Sequence, residues 1–180
     1  MLTELFKTEE RVKILRYVMD CSTFSVAEVS KAAGVNKGLV SRHLRYLEAQ
    51  GLVSREGRRY SPLKGGHLRA IKLLLNLDKI DLSSLSMGFA SSLGLYGSWA
   101  RGVNGKESDL DVWIRSDRLP SESDLARLQR DLRLQSGTEV NLLVLTPEKL
   151  DRLKKEDAHF YSSLVMTSLT LKGEPLEDHQ

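Results

Sequence analysis

Apolar residues recur at helical spacing in the first third of the chain, in segments separated by polar breaks. Three helices are predicted there, over residues 9–20, 25–34 and 37–49. Their starts carry N-terminal capping residues: Thr8, the capping box Ser25-Val26-Ala27-Glu28, and Asn36. Gly34 between the second and third helices is typical of a helix-turn-helix.

A short arginine-rich hairpin is predicted after the third helix, over residues 52–60 with its turn near Gly57. In the third helix Val40, Leu44 and Leu47 form the buried stripe. Polar and basic residues on the outer face of that helix and on the hairpin are candidate DNA contacts: Lys37, Ser41, Arg42, Arg45, Arg55, Arg58 and Arg59.

Helix, turn, helix and basic hairpin in this order resemble the winged helix-turn-helix family over residues 5–62. The resemblance implies a recognition helix in the major groove of double-stranded DNA and a wing against the backbone or minor groove. The alternative is a winged helix that serves protein contacts only.

An amphipathic helix is predicted over residues 63–77, followed by a serine-rich boundary over residues 78–87. The helix offers more apolar surface than one small domain usually hides, so it would support a homodimer or pack against a second domain. The predicted division is a DNA-binding domain over residues 1–62, a connecting segment over 63–87 and a second domain over 88–180.

Strand and helix patterns alternate in the second domain. Strands are predicted over 93–96, 109–114, 139–145 and 169–174, with helices after Ser121 and Thr146 and a last helix over 157–168. The fold class is therefore α+β: a winged helix-turn-helix followed by a small domain with a mixed β-sheet flanked by helices.

The most informative motif is Gly97-Ser98, ten residues, then Asp109-Leu110-Asp111. Gly97 and Ser98 would turn from a strand into a helix start, whose free N–H groups suit phosphate. Asp109 and Asp111 are two apart, so on a strand both carboxylates point to the same face. Paired carboxylates repel unless a cation lies between them, and Mg²⁺ binds carboxylates together with substrate phosphates.

This stretch, over about residues 88–175, resembles the minimal nucleotidyltransferases of the DNA polymerase beta superfamily. The resemblance implies that Gly97 and Ser98 hold the terminal phosphates of a nucleoside triphosphate and that Asp109 and Asp111 bind Mg²⁺ or Mn²⁺. It also implies transfer of a nucleoside monophosphate to an acceptor hydroxyl with release of pyrophosphate. Arg101 is a further candidate for the phosphates, or a solvent-exposed arginine.

The third carboxylate of polymerase-like members has no direct counterpart, because the position that resembles it is Asn141. Glu139, two residues earlier and on the same strand face, could take its place as metal ligand or general base, or could be an ordinary charge at a strand start. Trp99 and Trp113 would stack on a base or pack in the core.

Charge divides unevenly along the chain, although the total is only +3. Residues 1–80 hold 15 Lys and Arg against 8 Asp and Glu, whereas residues 81–180 hold 12 against 16. A basic half suits a polyanion and an acidic half suits metal ions. The single cysteine, Cys21, excludes an internal disulfide and a multi-cysteine zinc site. No apolar run approaches the roughly 20 residues of a membrane span, so we expect a cytoplasmic protein without a membrane partner.

Two functions remain open, beside the third possibility of an inactive scaffold. The chain resembles winged-helix–nucleotidyltransferase fusions found among archaea, which implies a DNA-associated nucleotidyltransferase acting on a nucleic acid or protein hydroxyl. The alternative is a DNA-binding transcription regulator whose second domain senses a nucleotide without turnover.

Overall fold

The computed structural model describes residues 1–176, and the chain falls into two compact units that divide between Leu75 and Asn76. The α+β class predicted from the sequence is confirmed. Residues 63–75 belong to the first unit and 76–87 to the second, so the described chain holds no third unit. The separate connecting segment stays a prediction.

The first unit consists of short helices and a small sheet. Its elements are α1 (Leu2–Leu5), α2 (Glu9–Asp20), β1 (Phe24–Ser25), α3 (Val26–Ala33), α4 (Lys37–Ala49), β2 (Val53–Glu56), β3 (Arg59–Pro62) and α5 (Gly66–Leu77). The predicted caps form, since Thr8 Oγ1 accepts from the Arg11 N–H and Ser25 and Glu28 make both bonds of a capping box. Helix α5 begins later than predicted, because the Leu63 N–H still bonds to the Leu52 carbonyl and two glycines follow.

The three-stranded sheet has the order β1-β3-β2, and all of its pairs are antiparallel. The core beneath it includes the predicted stripe of α4, with Val40, Leu44 and Leu47 fully buried. The start of α5 is anchored in the same unit by Lys72, whose ammonium donates to the Met19 carbonyl at 2.8 Å and pairs with Asp20 at 3.3 Å. Helix-turn-helix and hairpin thus form one body.

The second unit alternates strands and helices. After a 3₁₀ turn at Leu82–Ser84 come β4 (Ser92–Leu95), α6 (Gly97–Ala100), β5 (Leu110–Arg115), α7 (Glu122–Ser136), β6 (Val140–Leu145), α8 (Pro147–Glu156), α9 (Ala158–Thr167) and β7 (Leu169–Lys172). Ser121 and Thr146 cap α7 and α8 as predicted.

The sheet of the second unit has the order β6-β5-β4-β7, with β5 and β6 parallel and the other pairs antiparallel. Alternate residues of β5 serve two cores. Val112 and Ile114 pack with Leu128 and Leu132 of α7, whereas Trp113 packs with residues of α8 and α9. Asp111 lies on the same side of β5 as Trp113, and Asp109 directly precedes this strand.

Both tryptophans belong to the core, since Trp99 is 3% exposed and Trp113 is fully buried. The packing interpretation of these residues is confirmed, and base stacking is excluded by burial. Three atoms of the Trp113 indole, Cε2, Cζ2 and Nε1, lie over Gly94, where a Cβ atom would overlap them. No helix within residues 1–176 is long and apolar enough to cross a membrane.

Candidate functional site

The Gly-Ser turn lies beside the second aspartate of the motif. The Tyr96 N–H donates to the Asp111 carbonyl at 3.0 Å, which brings the end of β4 next to β5. Gly97 then takes a positive φ of 68°, and a Cβ atom at that position would clash with Oδ2 of Asp111. Glycine is therefore required here twice, for its backbone conformation and for its lack of a side chain.

The two carboxylates converge on one amide group. Nδ2 of Asn141 donates to Oδ1 of Asp111 at 3.1 Å and to Oδ2 of Asp109 at 3.4 Å. Asp111 and Asn141 are directly paired in the parallel register of β5 and β6, so their side chains share a face. The structure thus brings together the two predicted aspartates and Asn141.

The loop between the two halves of the motif is held by buried polar contacts. Asn76 donates to the Trp99 carbonyl at 3.0 Å and to Oδ1 of Asn104 at 2.9 Å, and both asparagines are at least 95% buried. The Ser108 carbonyl, next to Asp109, accepts from the Trp99 indole and from the Thr138 hydroxyl. These contacts fix the position of Asp109 relative to Gly97.

Glu139 lies just before β6 and is engaged elsewhere. Its carboxylate forms an ion pair with Nη2 of Arg133 at 2.5 Å, near the end of α7, and both side chains are about 60% exposed. Arg101 is exposed as well, and its Nε donates to the Gly97 carbonyl at 3.1 Å. Arg101 therefore stays close to the Gly-Ser turn, while the Glu139 carboxylate is directed to α7.

Tyr96 is a residue of this site that the sequence reasoning did not select. Burial raises the pKa of its phenol, and the negative charge of Asp111 raises it further. Its ring packs edge-on against Phe160 of α9, with 6.4 Å between ring centroids. The available sequence signal was its position directly before Gly97.

The donor set for a cation consists of two carboxylates and one amide. Within the described residues no group of three His, Cys, Asp or Glu side chains comes together. Two carboxylates are nevertheless the usual protein share of a Mg²⁺ site that is completed by substrate phosphates. The residues present therefore fit an ion that arrives with a nucleotide.

The candidate DNA contacts lie on α4 and on the hairpin of the first unit, and four of them, Ser41, Arg45, Arg55 and Arg58, line one cavity. Lys37, Arg42 and Arg45 are exposed on α4, with Ser41 half-buried. Arg55, Arg58 and Arg59 are exposed on the hairpin of β2 and β3, where Arg59 pairs with Glu28 at 3.4 Å. Their exposure and positive charge are what a nucleic-acid interface needs.

The comparison with known families found one match in each unit of the chain. Residues 8–55 match the model of the bacterial regulatory protein, arsR family, and residues 81–165 match the model of the nucleotidyltransferase domain. No curated protein matches the chain.

Among solved structures, a toxin–antitoxin complex with AMP-PNP is 20% identical, with 59% of this chain and 72% of that chain covered at a TM-score of 0.36. The complex of the tri-AMPylated HEPN toxin of Shewanella oneidensis with MNT antitoxin is 16% identical, with coverages of 57% and 73% and a TM-score of 0.37. The archaeal chromatin protein TrmBL2 is 17% identical, with coverages of 89% and 72% and a TM-score of 0.30.

Proposed function

We propose that this chain, which joins a helix-turn-helix domain of the arsR type to a nucleotidyltransferase domain, is a DNA-associated nucleotidyltransferase. It would transfer a nucleoside monophosphate from a nucleoside triphosphate to a hydroxyl of a nucleic acid or a protein, and release pyrophosphate. The observation that carries the proposal is the convergence of Asp109 and Asp111 on Asn141 beside the Gly97 turn.

Asp109 and Asp111 would hold Mg²⁺ or Mn²⁺. When bound, such an ion neutralises phosphate charge and acts as a Lewis acid. Without a cation, the two carboxylates repel each other, and the Asn141 amide offsets part of that repulsion by donating to both. Because an amide carries an acceptor oxygen as well as a donor nitrogen, a rotated Asn141 would present its oxygen instead.

Gly97 and Ser98 would hold the terminal phosphates, with Arg101 beside them. The absence of a side chain at Gly97 lets the Asp111 carboxylate approach the turn, so phosphates held at the turn would lie beside that carboxylate. The Arg101 guanidinium adds a positive charge near the turn, because its Nε is tied to the Gly97 carbonyl. This arrangement favours a polyphosphate chain that lies between the Gly-Ser turn and the two carboxylates.

Proton removal from the acceptor hydroxyl is the weakest part of the machinery. Asn141 cannot accept a proton as a base, and the Glu139 carboxylate is paired with Arg133. Glu139 would act as base only after it leaves that ion pair. Exposed ion pairs contribute little free energy, about 0–1 kcal/mol, so the separation is inexpensive.

The second candidate is a DNA-binding regulator that senses a nucleotide without turnover. Asn141 in place of a carboxylate favours it, because nucleotide binding needs the turn and the two aspartates but no base. In both cases the first unit would place the protein on duplex DNA.

A homodimer through α5 is a further proposal, supported by Leu74, which is 53% exposed on that helix.

The two candidates separate in one experiment. The full chain is incubated with Mg²⁺, an α-labelled nucleoside triphosphate, and cell RNA or cell protein. Label transferred by the wild type but not by an Asp109→Ala, Asp111→Ala chain supports the enzyme. Metal-dependent nucleotide binding without transfer supports the sensor, and the absence of both would contradict the proposal.

A further inference from the structure

A cavity opens in the first unit among the start of α3, the outer face of α4 and the hairpin. Its volume is about 380 Å³, and its polar lining comes from Ser25, Ser41, Arg45, Arg55, Arg58 and Tyr60. Small-molecule sites commonly have volumes of about 300–1,000 Å³. The cavity is therefore large enough for a small ligand.

The charge of the cavity is positive. Three arginines line it, and its described lining contains no carboxylate. Glu28 lies on the adjacent first turn of α3, but its carboxylate accepts from the Ser25 N–H at 2.6 Å and pairs with Arg59. Those contacts lower the pKa of Glu28, so that it stays ionised while its charge is compensated by Arg59. The cavity consequently favours an anion.

Two of the arginines are oriented by contacts through Nε. Arg55 donates from Nε to the Gly57 carbonyl at 2.9 Å, and its guanidinium lies 5.7 Å from the centre of the Tyr60 ring. Tyr60 is itself only 3% exposed and stacks on Phe24. Arg45 donates from Nε to the Ser41 carbonyl at 3.5 Å. Both hydrogen bonds are made through Nε, so neither of them uses the terminal nitrogens of these two guanidinium groups.

We propose that this cavity is a binding site for a small polyphosphate anion, of the kind carried by free nucleotides. Guanidinium groups bind phosphate oxygens in a bidentate way, and serine hydroxyls add donors around them. A single phosphate of duplex DNA offers the same chemistry but needs only a surface contact. The volume of the cavity and the three arginines of its lining favour a chain of phosphates.

Occupancy of the cavity would oppose DNA binding. Ser41, Arg45, Arg55 and Arg58 belong both to the cavity and to the predicted DNA contacts. A bound polyphosphate would neutralise the charges that attract the duplex, so the two ligands would compete. This competition rests on the DNA-binding part of the proposed function, whereas the anion site itself does not.

The site is tested with inorganic tripolyphosphate, titrated calorimetrically into the full chain in the presence of a metal chelator. Arg55→Gln and Arg45→Gln should each weaken binding at least about tenfold, because each removes charge-assisted hydrogen bonds. Arg42→Gln is the matched control, since Arg42 is exposed on the same helix outside the cavity lining. Its effect should stay within about twofold because solvent screens its charge.

A chain with Arg101→Gln should keep the same tripolyphosphate affinity, because Arg101 lies at the Gly-Ser turn that would hold phosphates in the proposed nucleotidyltransferase site. This variant therefore distinguishes the two sites. In a second arm, tripolyphosphate should displace a labelled short duplex from the wild type. Tripolyphosphate binding that responds equally to the Arg42, Arg45 and Arg55 variants would overturn the proposal. So would duplex binding that depends on Arg45 and Arg55 without any tripolyphosphate binding, because the cavity would then hold a DNA phosphate.

Discussion

Asn141 donates a hydrogen bond from Nδ2 to Oδ1 of Asp111 at 3.1 Å, across the parallel pair of strands β5 and β6. The same nitrogen lies 3.4 Å from Oδ2 of Asp109. A neutral amide thus lies at the position that, by the resemblance to polymerase-like nucleotidyltransferases, would carry a third carboxylate. The site therefore has one negative charge fewer than a site with three carboxylates, and it lacks a base at this position. Both differences favour nucleotide binding over proton removal.

We expect Asp109→Ala and Asp111→Ala each to abolish Mg²⁺-dependent nucleotide binding or transfer. Each change removes half of the carboxylate pair that would hold the ion, while the fold should persist because Asp109 directly precedes β5 and Asp111 is its second residue. Equilibrium dialysis with and without Mg²⁺ measures the effect. Asp117→Ala, at an exposed position after β5, is the control. A double variant that binds like the wild type would show that the site is misassigned.

Gly97→Ala should remove activity. It should also lower the free energy of unfolding by more than backbone strain alone would. A side chain there meets both a positive φ of 68° and the Asp111 carboxylate. Gly137→Ala is matched to it, because Gly137 has a φ of 76° with open space around its Cβ position. Left-handed strain costs roughly 1–2 kcal/mol in either variant. The free energy of unfolding in urea and the nucleotide affinity should both be lower for Gly97→Ala than for Gly137→Ala. Equal values would argue against the contact between a residue 97 side chain and Asp111.

Asn141→Asp should raise the transfer rate if the missing carboxylate limits turnover. In the absence of Mg²⁺ the same change should lower the melting temperature, because a third carboxylate replaces the amide that bridges the other two. Single-turnover transfer and thermal unfolding are the measurements. Transfer that appears only in the variant would identify the natural protein as a nucleotide sensor.

Glu139→Gln tests the alternative base. General-base assistance typically contributes 10²–10⁴-fold, so a catalytic Glu139 predicts a loss of about that size in turnover with nucleotide affinity nearly unchanged. Arg133→Gln is the companion variant, because it frees the Glu139 carboxylate from its ion pair and should leave turnover equal or higher. A wild-type rate that survives Glu139→Gln would leave only the two aspartates in the catalytic set.

Binding of the full chain to duplex DNA should weaken with salt. Each phosphate contact adds about 0.9 to the slope of log affinity against log salt concentration. Arg58→Ala on the hairpin should weaken binding to all sequences alike, whereas Arg42→Ala on α4 should also change sequence preference if it reaches a base edge. Fluorescence anisotropy with two duplexes measures both effects. Absence of binding at low salt would contradict the DNA-binding proposal.

His43 should make the first unit sensitive to acid. Burial lowers the pKa of its imidazole to about 4, with a smaller contribution from the nearby Arg11, whereas Glu4 raises it. The unfolded chain binds this proton near pH 6.5, so the stabilisation is complete above that pH and is lost as the pH falls towards 4. The loss amounts to at most about 3 kcal/mol. Urea unfolding between pH 7 and 4 should show it, and His43→Leu should remove that pH dependence.

Local features of this protein follow from its sequence. The bounds of α2, α3 and α4 were predicted within a residue or two, because Thr8, Ser25 and Asn36 cap their own helices through bonds to residues two or three positions away. The motif from Gly97 to Asp111 could also be predicted, since all of its residues lie within one short stretch of the sequence. Alternation along a strand placed both aspartates on one face.

Tertiary structure decided which residues from distant segments contact one another. Strand β1 is two residues long and exists only because it pairs with β3, so no local pattern marks it. The positions of Asn141 opposite Asp111, of Glu139 against Arg133 and of Asp111 against Gly97 depend on the order and register of strands and helices distant in sequence. The cavity is similar, because it draws residues from α3, α4 and the hairpin. Capping and strand alternation act over a few residues, whereas strand order and register are set by which apolar faces pack together.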